Sequence, residues 1–211
     1  MSRYIVGITG ASGSIYGARL VEELLKKGHE VYFVITDNGR KVFEYELEIS
    51  FEAWIKECKE KWERITVCPN DDLFSEIASG SFPTDGMIIA PCSMGTLAKL
   101  SSGIADNLLV RAADVTIKEK RPLVLVPRET PLSPIHLRNM LLLSELNVTI
   151  LPPMPAFYHR PKTLEEIIEI SIGKILSVLN IQSDSYRSWR GKESIGQEKS
   201  YDRNKESECV L

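Results

Sequence analysis

The chain is short of the residues that build metal sites and disulfide frameworks. Its 211 positions include four cysteines and three histidines. Cys58, Cys68, Cys92 and Cys209 show no C-x-x-C spacing and no clustering with His29, His136 or His159, which excludes an obvious zinc site or a disulfide-stapled fold. Positive charge is not in excess either. Lysine and arginine number 26 against 29 aspartate and glutamate, a net charge of -3, which argues against a nucleic-acid backbone as partner. No apolar run is long enough to span a bilayer, and a strand starting near Tyr4 leaves no room for a secretory leader. Cys209 is followed only by Val210 and Leu211, one residue short of a prenylation box. The expected compartment is the cytosol. Two catalytic signatures are missing as well: the G-x-S-x-G nucleophile elbow and the G-x-G-x-x-G dinucleotide fingerprint.

What is present is an ordinary globular composition, 43% hydrophobic and 26% charged, enough for one domain with a sizeable core. We place that domain at residues 1–182 and read 183–211, rich in Lys, Glu, Ser and Gln, as a tail or subunit-crossing arm. Candidate strands are Tyr4–Ile8, Glu30–Ile35, Gly86–Ala90, Leu123–Val126 and Val148–Leu151. Helical patterns fall at Ala18–Lys27, Gly39–Tyr45, Phe51–Lys59, Leu97–Ser101, Leu108–Glu119, Ile135–Leu146 and Leu164–Leu179. Three of the strands are continuously apolar, as strands covered on both faces are. The alternation predicts a doubly wound α/β fold with a mostly parallel, flavodoxin- or Rossmann-like sheet in three layers. Ligands of such sheets bind beyond the carboxyl ends of the strands.

Small, hydroxyl and charged residues follow each strand. The stretch Gly7-Ile-Thr-Gly-Ala-Ser-Gly-Ser-Ile-Tyr-Gly17 joins the first strand to a helix, an arrangement that offers backbone amides to a phosphate. Ser12 and Ser93 lack a positioned base, so hydroxyls that bind a phosphate or a ring edge are the better reading than nucleophiles. Arg128 ends an apolar strand at this edge, where a charge must be paired or meet a ligand, and its planar fork suits a phosphate. Arg111 and Lys118 share a helix face. Lys120 and Arg121 read as solvated charges. Glu46, Tyr158 and Trp189, taken singly, are no more telling than a surface carboxylate, a packing tyrosine and a docking tryptophan.

Several blocks carry a resemblance. They are Gly7-Ile-Thr-Gly-Ala-Ser-Gly13, Ser79-Gly-Ser-Phe82, Asp85-Gly-Met-Ile-Ile-Ala-Pro-Cys-Ser-Met-Gly-Thr96, Asp106-Asn-Leu-Leu-Val-Arg-Ala-Ala-Asp-Val115, Lys118-Glu119, Arg121-Pro-Leu-Val-Leu-Val-Pro-Arg-Glu-Thr-Pro131, His136-Leu-Arg-Asn-Met140 and Pro152-Pro-Met-Pro-Ala-Phe-Tyr-His-Arg-Pro161. Together, from about Tyr4 to Trp189, they resemble the UbiX-type flavin prenyltransferases, relatives of the flavin-containing cysteine decarboxylases. The resemblance implies a metal-independent enzyme that joins a dimethylallyl group from dimethylallyl monophosphate to N5 and C6 of reduced FMN. The prenylated FMN would go to a UbiD-type decarboxylase, and the enzyme would be a dodecamer with sites built from several subunits. It further implies that Gly10, Ala11, Ser12, Thr36 (where the family usually has serine), Ser93, Met94, Gly95, Thr96 and Arg128 hold FMN. Glu46, Lys118 and Glu129 would be catalytic. Lys118, Arg128, Glu129, Tyr158, Lys174 and Trp189 would bind the prenyl phosphate, with Lys174 at a position where the resemblance leads to arginine. The rival readings are an FMN-dependent aromatic-acid or cysteinyl decarboxylase, an NAD(P)-dependent reductase using Asp37, and a non-catalytic flavin carrier. The first is disfavoured by the lack of histidine in 39–57. A bound cofactor's spectrum and a single-turnover assay separate the others.

Overall fold

The computed structural model describes residues 1–183, so Trp189, Cys209 and nearly all of the expected tail lie outside the described residues. Six parallel strands form one sheet: β1 (Arg3–Ile8), β2 (Glu30–Ile35), β3 (Ile65–Val67), β4 (Gly86–Cys92), β5 (Leu123–Pro127) and β6 (Thr149–Ile150). Their order is β3-β2-β1-β4-β5-β6, and all five pairings are parallel. The five expected strands are present, and the sheet is wholly rather than mostly parallel. β3 is an addition, a short edge strand after Glu63 and Arg64 with no apolar run to announce it.

Side-chain alternation along the strands builds two cores. Tyr4, Val6, Ile8, Val31, Phe33, Ile88 and Ala90 face one way. They pack on α1 (Ser14–Lys26), α2 (Asp37–Leu47), α3 (Phe51–Lys61) and α7 (Leu164–Val178). Ile5, Tyr32, Val34, Met87, Ile89 and Cys92 face the other way, onto α4 (Met94–Ser101), α5 (Leu108–Lys118) and α6 (Pro134–Glu145). These are the three expected layers. Burying both faces accounts for the continuously apolar strands. Gly17 lets α1 lie directly on the sheet: a Cβ there would collide with the Ala90 carbonyl oxygen and reach within 2.5 Å of the Ile8 side chain.

The connections leave β1 in one direction toward β2 and return on its other side through β4. The loops after β1 and β4 therefore meet at the point where strand order reverses, the usual ligand crevice of such a sheet. No helix among the described residues is long and apolar enough to cross a membrane.

Candidate active site at the carboxyl edge of the sheet

Thr9, the first residue after β1, holds two loops together. Its buried hydroxyl donates to the Pro91 carbonyl at 2.8 Å and accepts from the Ser93 amide at 2.7 Å. Ser93 in turn caps α4, accepting from the Thr96 amide at 3.3 Å, with its hydroxyl 3.1 Å from that of Thr96. Met94, Gly95 and Thr96 form the first turn of α4. A Cβ at Gly95 would meet only the Ser93 hydroxyl, at 4.0 Å, so this backbone faces open space. Thr36 caps α2, accepting from the Gly39 amide at 3.0 Å. Thr9 was not singled out from the sequence; a hydroxyl directly behind a buried strand was the available signal.

Arg128 brings in the loop after β5. Its amide donates to the Cys92 carbonyl and its Nε to the Ser12 carbonyl, both at 3.3 Å. It is exposed and joins no ion pair among the described residues, so its cation is available to an anion, as expected of a charge at this edge. Glu129 is also exposed, and its carboxylate accepts from the Thr130 amide at 3.0 Å. Cys92, wholly buried behind Ser93, is pushed up to about 12 by burial and is no nucleophile at neutral pH.

The glycine turn differs from expectation. The amides at the start of α1, expected to await a phosphate, carry the Glu46 carboxylate. Gly13 donates to its two oxygens at 2.9 and 3.1 Å, and Ser14 donates at 2.8 Å. Partial burial pushes the Glu46 carboxyl up, but the donors of Ser12, Ser14 and Gly13 outweigh it and hold the group below the ordinary glutamate value. Glu46 thus stands at the site as an anion. A cleft of about 400 Å³ opens beside it, with Ser12, Gly13 and Glu46 at one end and Ile15, Leu47, Leu164 and Ile168 along its walls.

The remaining expected residues lie elsewhere in the chain. Lys118 ends α5, just before β5 begins, at the amino edge of the sheet. There it pairs with Glu119 against Gly80. The seven residues of β4 separate the two edges by about 20 Å at strand rise, so Lys118 does not share one chain's site with Glu46 and Glu129. Lys174 sits on the exposed side of α7, nine residues beyond Glu165 and so about half a turn round the helix from that cleft residue. Tyr158 is exposed in a short 3₁₀ turn, its ring 4.2 Å from that of His159. Trp189 lies outside the described residues. Arg121 is a correction: it is not a solvated charge, because its guanidinium donates to the Gly80 and Phe82 carbonyls at 2.7 and 2.8 Å and to the Thr84 hydroxyl at 3.3 Å. It staples the loop leading into β4.

Comparison with known proteins decides the family. The Flavoprotein family matches residues 1–187. The flavin prenyltransferase UbiX of Halalkalibacterium halodurans is 50% identical over 190 residues, covering 88% of this chain and 92% of the relative. The chain belongs to the UbiX flavin prenyltransferase family. Within solved structures, AnUbiX in complex with FMN and dimethylallyl pyrophosphate superposes with a TM-score of 0.84 at 37% identity, covering 90% of this chain and 98% of that one. The dodecameric FMN-dependent UbiX-like decarboxylase from Escherichia coli O157:H7 gives 0.83 at 41% identity, covering 90% and 100%. UbiX membership agrees with the resemblance carried by the sequence blocks and with the three-layer parallel fold.

Proposed function

We propose that this chain is a flavin prenyltransferase that transfers a dimethylallyl group from dimethylallyl monophosphate to N5 and C6 of reduced FMN. The observation that carries the reading is the cradle at the sheet's carboxyl edge, in a chain half identical to a UbiX enzyme. The residues fit a flavin phosphate ester. Gly10, Ala11 and Ser12 offer a close backbone, Thr36 and Ser93 offer hydroxyls, the Met94–Thr96 turn opens outward, and Arg128 holds an unspent cation. Reduced flavin supplies the electron-rich N5 and C6 positions.

The bond at N5 would form as the prenyl C–O bond breaks, its electron pair departing on phosphate; the bond at C6 would form as the prenyl double bond takes up a proton and C6 gives up its own. Cationic donors stabilise that leaving charge: Arg128 from this chain, and Lys118 and Lys174 from neighbouring copies, since neither faces the cleft of its own chain. In this reading Glu129 and Glu46 take a proton from the flavin side and return it to the departing phosphate. Tyr158 and Trp189 complete the prenyl pocket. Copies of the chain associate in this reading, up to the dodecamer. The exposed side chains Ile135, Leu137, Leu141 and Leu142 of α6, with Leu146 just after its end, support such contacts. The prenylated flavin passes to a UbiD-type decarboxylase. The buried free thiols Cys58, Cys68 and Cys92 suit a reducing cytoplasm.

A second reading, an FMN-dependent decarboxylase, is favoured by the name of the 41%-identical structure. One experiment separates them. Anaerobic incubation with reduced FMN and dimethylallyl phosphate, followed by mass spectrometry of the flavin, yields FMN heavier by one five-carbon unit in the first reading. Unchanged flavin beside decarboxylation of an aromatic acid or cysteinyl peptide supports the second.

A further inference from the structure

Four consecutive charged residues close α5, and they part in different directions. Lys118 is the last residue of the helix, followed by Glu119. Lys120 stands at φ 56°, a left-handed stop that lets the Arg121 amide donate back to the Thr116 carbonyl at 2.9 Å. That turn carries Arg121 to the loop leading into β4, where it holds the Gly80 and Phe82 carbonyls. The loop is held from two more sides. Arg111 Nε donates to the Ala78 carbonyl at 3.2 Å. Arg3 donates to the Pro83 carbonyl at 3.0 Å, with its guanidinium 4.4 Å from the centre of the Phe82 ring. Three arginines thus fix residues 78–84 against α5 and β1. Adjacent side chains on a helix point about 100° apart and do not face each other. Lys118 and Glu119 pair nonetheless, because both reach over Gly80. A Cβ at Gly80 would collide with Glu119 Oε1 and stand 2.9 Å from Lys118 Nζ, so the pair fills the place that a side chain at position 80 would take.

We propose that Glu119 is a positioning residue for Lys118: it holds the ammonium over Gly80, ready for the prenyl phosphate bound by a neighbouring copy. The inference rests on the reading of Lys118 as a donor to that phosphate. The hydrogen bond and charge of Lys118, with a smaller effect from Arg121, hold the Glu119 carboxyl below the ordinary glutamate value. It is therefore an anion at neutral pH. A lysine left to itself samples many rotamers, and fixing it beforehand lowers the entropy lost on binding. Holding and serving do not conflict. An ammonium has three N–H donors, so one taken by Glu119 leaves two for phosphate oxygens. The rigid backing comes from the three arginines, which keep Gly80 in register with the end of α5.

The test is steady-state kinetics of the full-length enzyme with reduced FMN saturating and dimethylallyl phosphate varied. Glu119→Gln keeps the size and removes the charge. Its KM should rise about fivefold, the upper range for an exposed ion pair, with kcat and Tm unchanged. Glu119→Asp, which keeps the charge, should recover part of the loss. Gly80→Ala should raise KM in the same way at little cost in Tm, because the atoms it displaces are the ends of flexible side chains. The deciding measurement is the double variant. Added to Lys118→Ala, Glu119→Gln should change KM no further, since a positioning residue does nothing once the group it holds is gone. An equal rise with and without Lys118 overturns the inference, because Glu119 then acts on its own. An unchanged KM in Glu119→Gln also overturns it, and so does a lowered one, which would make Glu119 a competitor of the phosphate. In those cases a raised KM in Lys118→Ala leaves the reading of Lys118 standing. A wild-type KM in Lys118→Ala removes that reading and the positioning role with it.

Discussion

At the carboxyl edge of the sheet, Thr9, Ser93, Thr36 and Arg128 are all bonded to backbone, and loops from three strands are held together within one chain. The second group behaves differently: Lys118, Tyr158 and Lys174 are exposed side chains on separate elements, and Lys118 lies at the opposite edge altogether. The first group is positioned by strand ends and caps, so folding alone completes it. The second is spread over α5, the turn after β6 and α7, with Lys118 at the far edge. In the proposed reading, the flavin cradle is an intramolecular product of the fold, while Lys118 reaches the prenyl phosphate only where copies meet.

The sharpest way to break this contrast is at Glu129, on the built-in side. Glu129→Gln should keep both ligands while slowing prenyl transfer by ~10²–10⁴-fold, the usual worth of a general acid-base group. Single-turnover kinetics with reduced FMN reads it, and wild-type turnover would remove Glu129 from the chemistry. On the dispersed side, Lys118→Ala or Lys174→Ala should raise the KM for dimethylallyl phosphate by about 10–100-fold, the worth of a charged hydrogen bond of ~1.5–3 kcal/mol, with FMN affinity intact. Mixing Lys118→Ala with Glu129→Gln subunits should recover part of the activity, because some sites then draw an intact residue from each parent. If mixtures stay as inactive as their parents, the two-copy site is wrong.

Gly17→Ala probes the scaffold beneath the cradle. The added methyl meets the Ala90 carbonyl and the Ile8 side chain, an overpacking that costs roughly 1–3 kcal/mol. Thermal melts should show a Tm lower by several degrees, together with weaker FMN binding, since α1 and the end of β4 are pushed apart. An unchanged Tm would mean that this contact is soft. The smallest effect concerns Glu46. Its carboxyl lies below the ordinary value of 4.5, so its contribution to stability is complete above about pH 4.5 and is lost as pH falls below it. The Tm difference between wild type and Glu46→Gln should therefore shrink between pH 5 and 3. A gap independent of pH would show that the carboxylate's charge does not stabilise the turn.

The parts legible in the sequence were those written locally. Val31–Ile35, Met87–Ala90 and Leu123–Val126 announce buried strands by apolar run alone, and the hydroxyls after them mark the edge where they converge. Thr163, with Glu165 and Glu166 behind it, announces the start of α7. What stayed hidden depends on partners distant in sequence. Glu46 meets Gly13 across 33 residues, and Arg121 meets the Phe82 carbonyl across 39. A side chain that binds backbone carbonyls leaves no complementary residue in the sequence to betray it. The position of Lys118 was hidden for another reason. A motif records which residue is present, whereas the direction in which α5 runs decides the edge at which that residue emerges.

That direction has a geometric consequence. A chain with its glycine turn at one edge and its lysine at the other is polar, so a contact that brings the two together joins unlike ends. Head-to-tail contacts of this kind either close into a ring or continue as an open row. In an open row, the terminal copy has a turn that no lysine serves and, at the other end, a lysine with no turn to serve. Closure removes both leftovers, so each copy gives once and receives once, and the number of complete sites equals the number of chains.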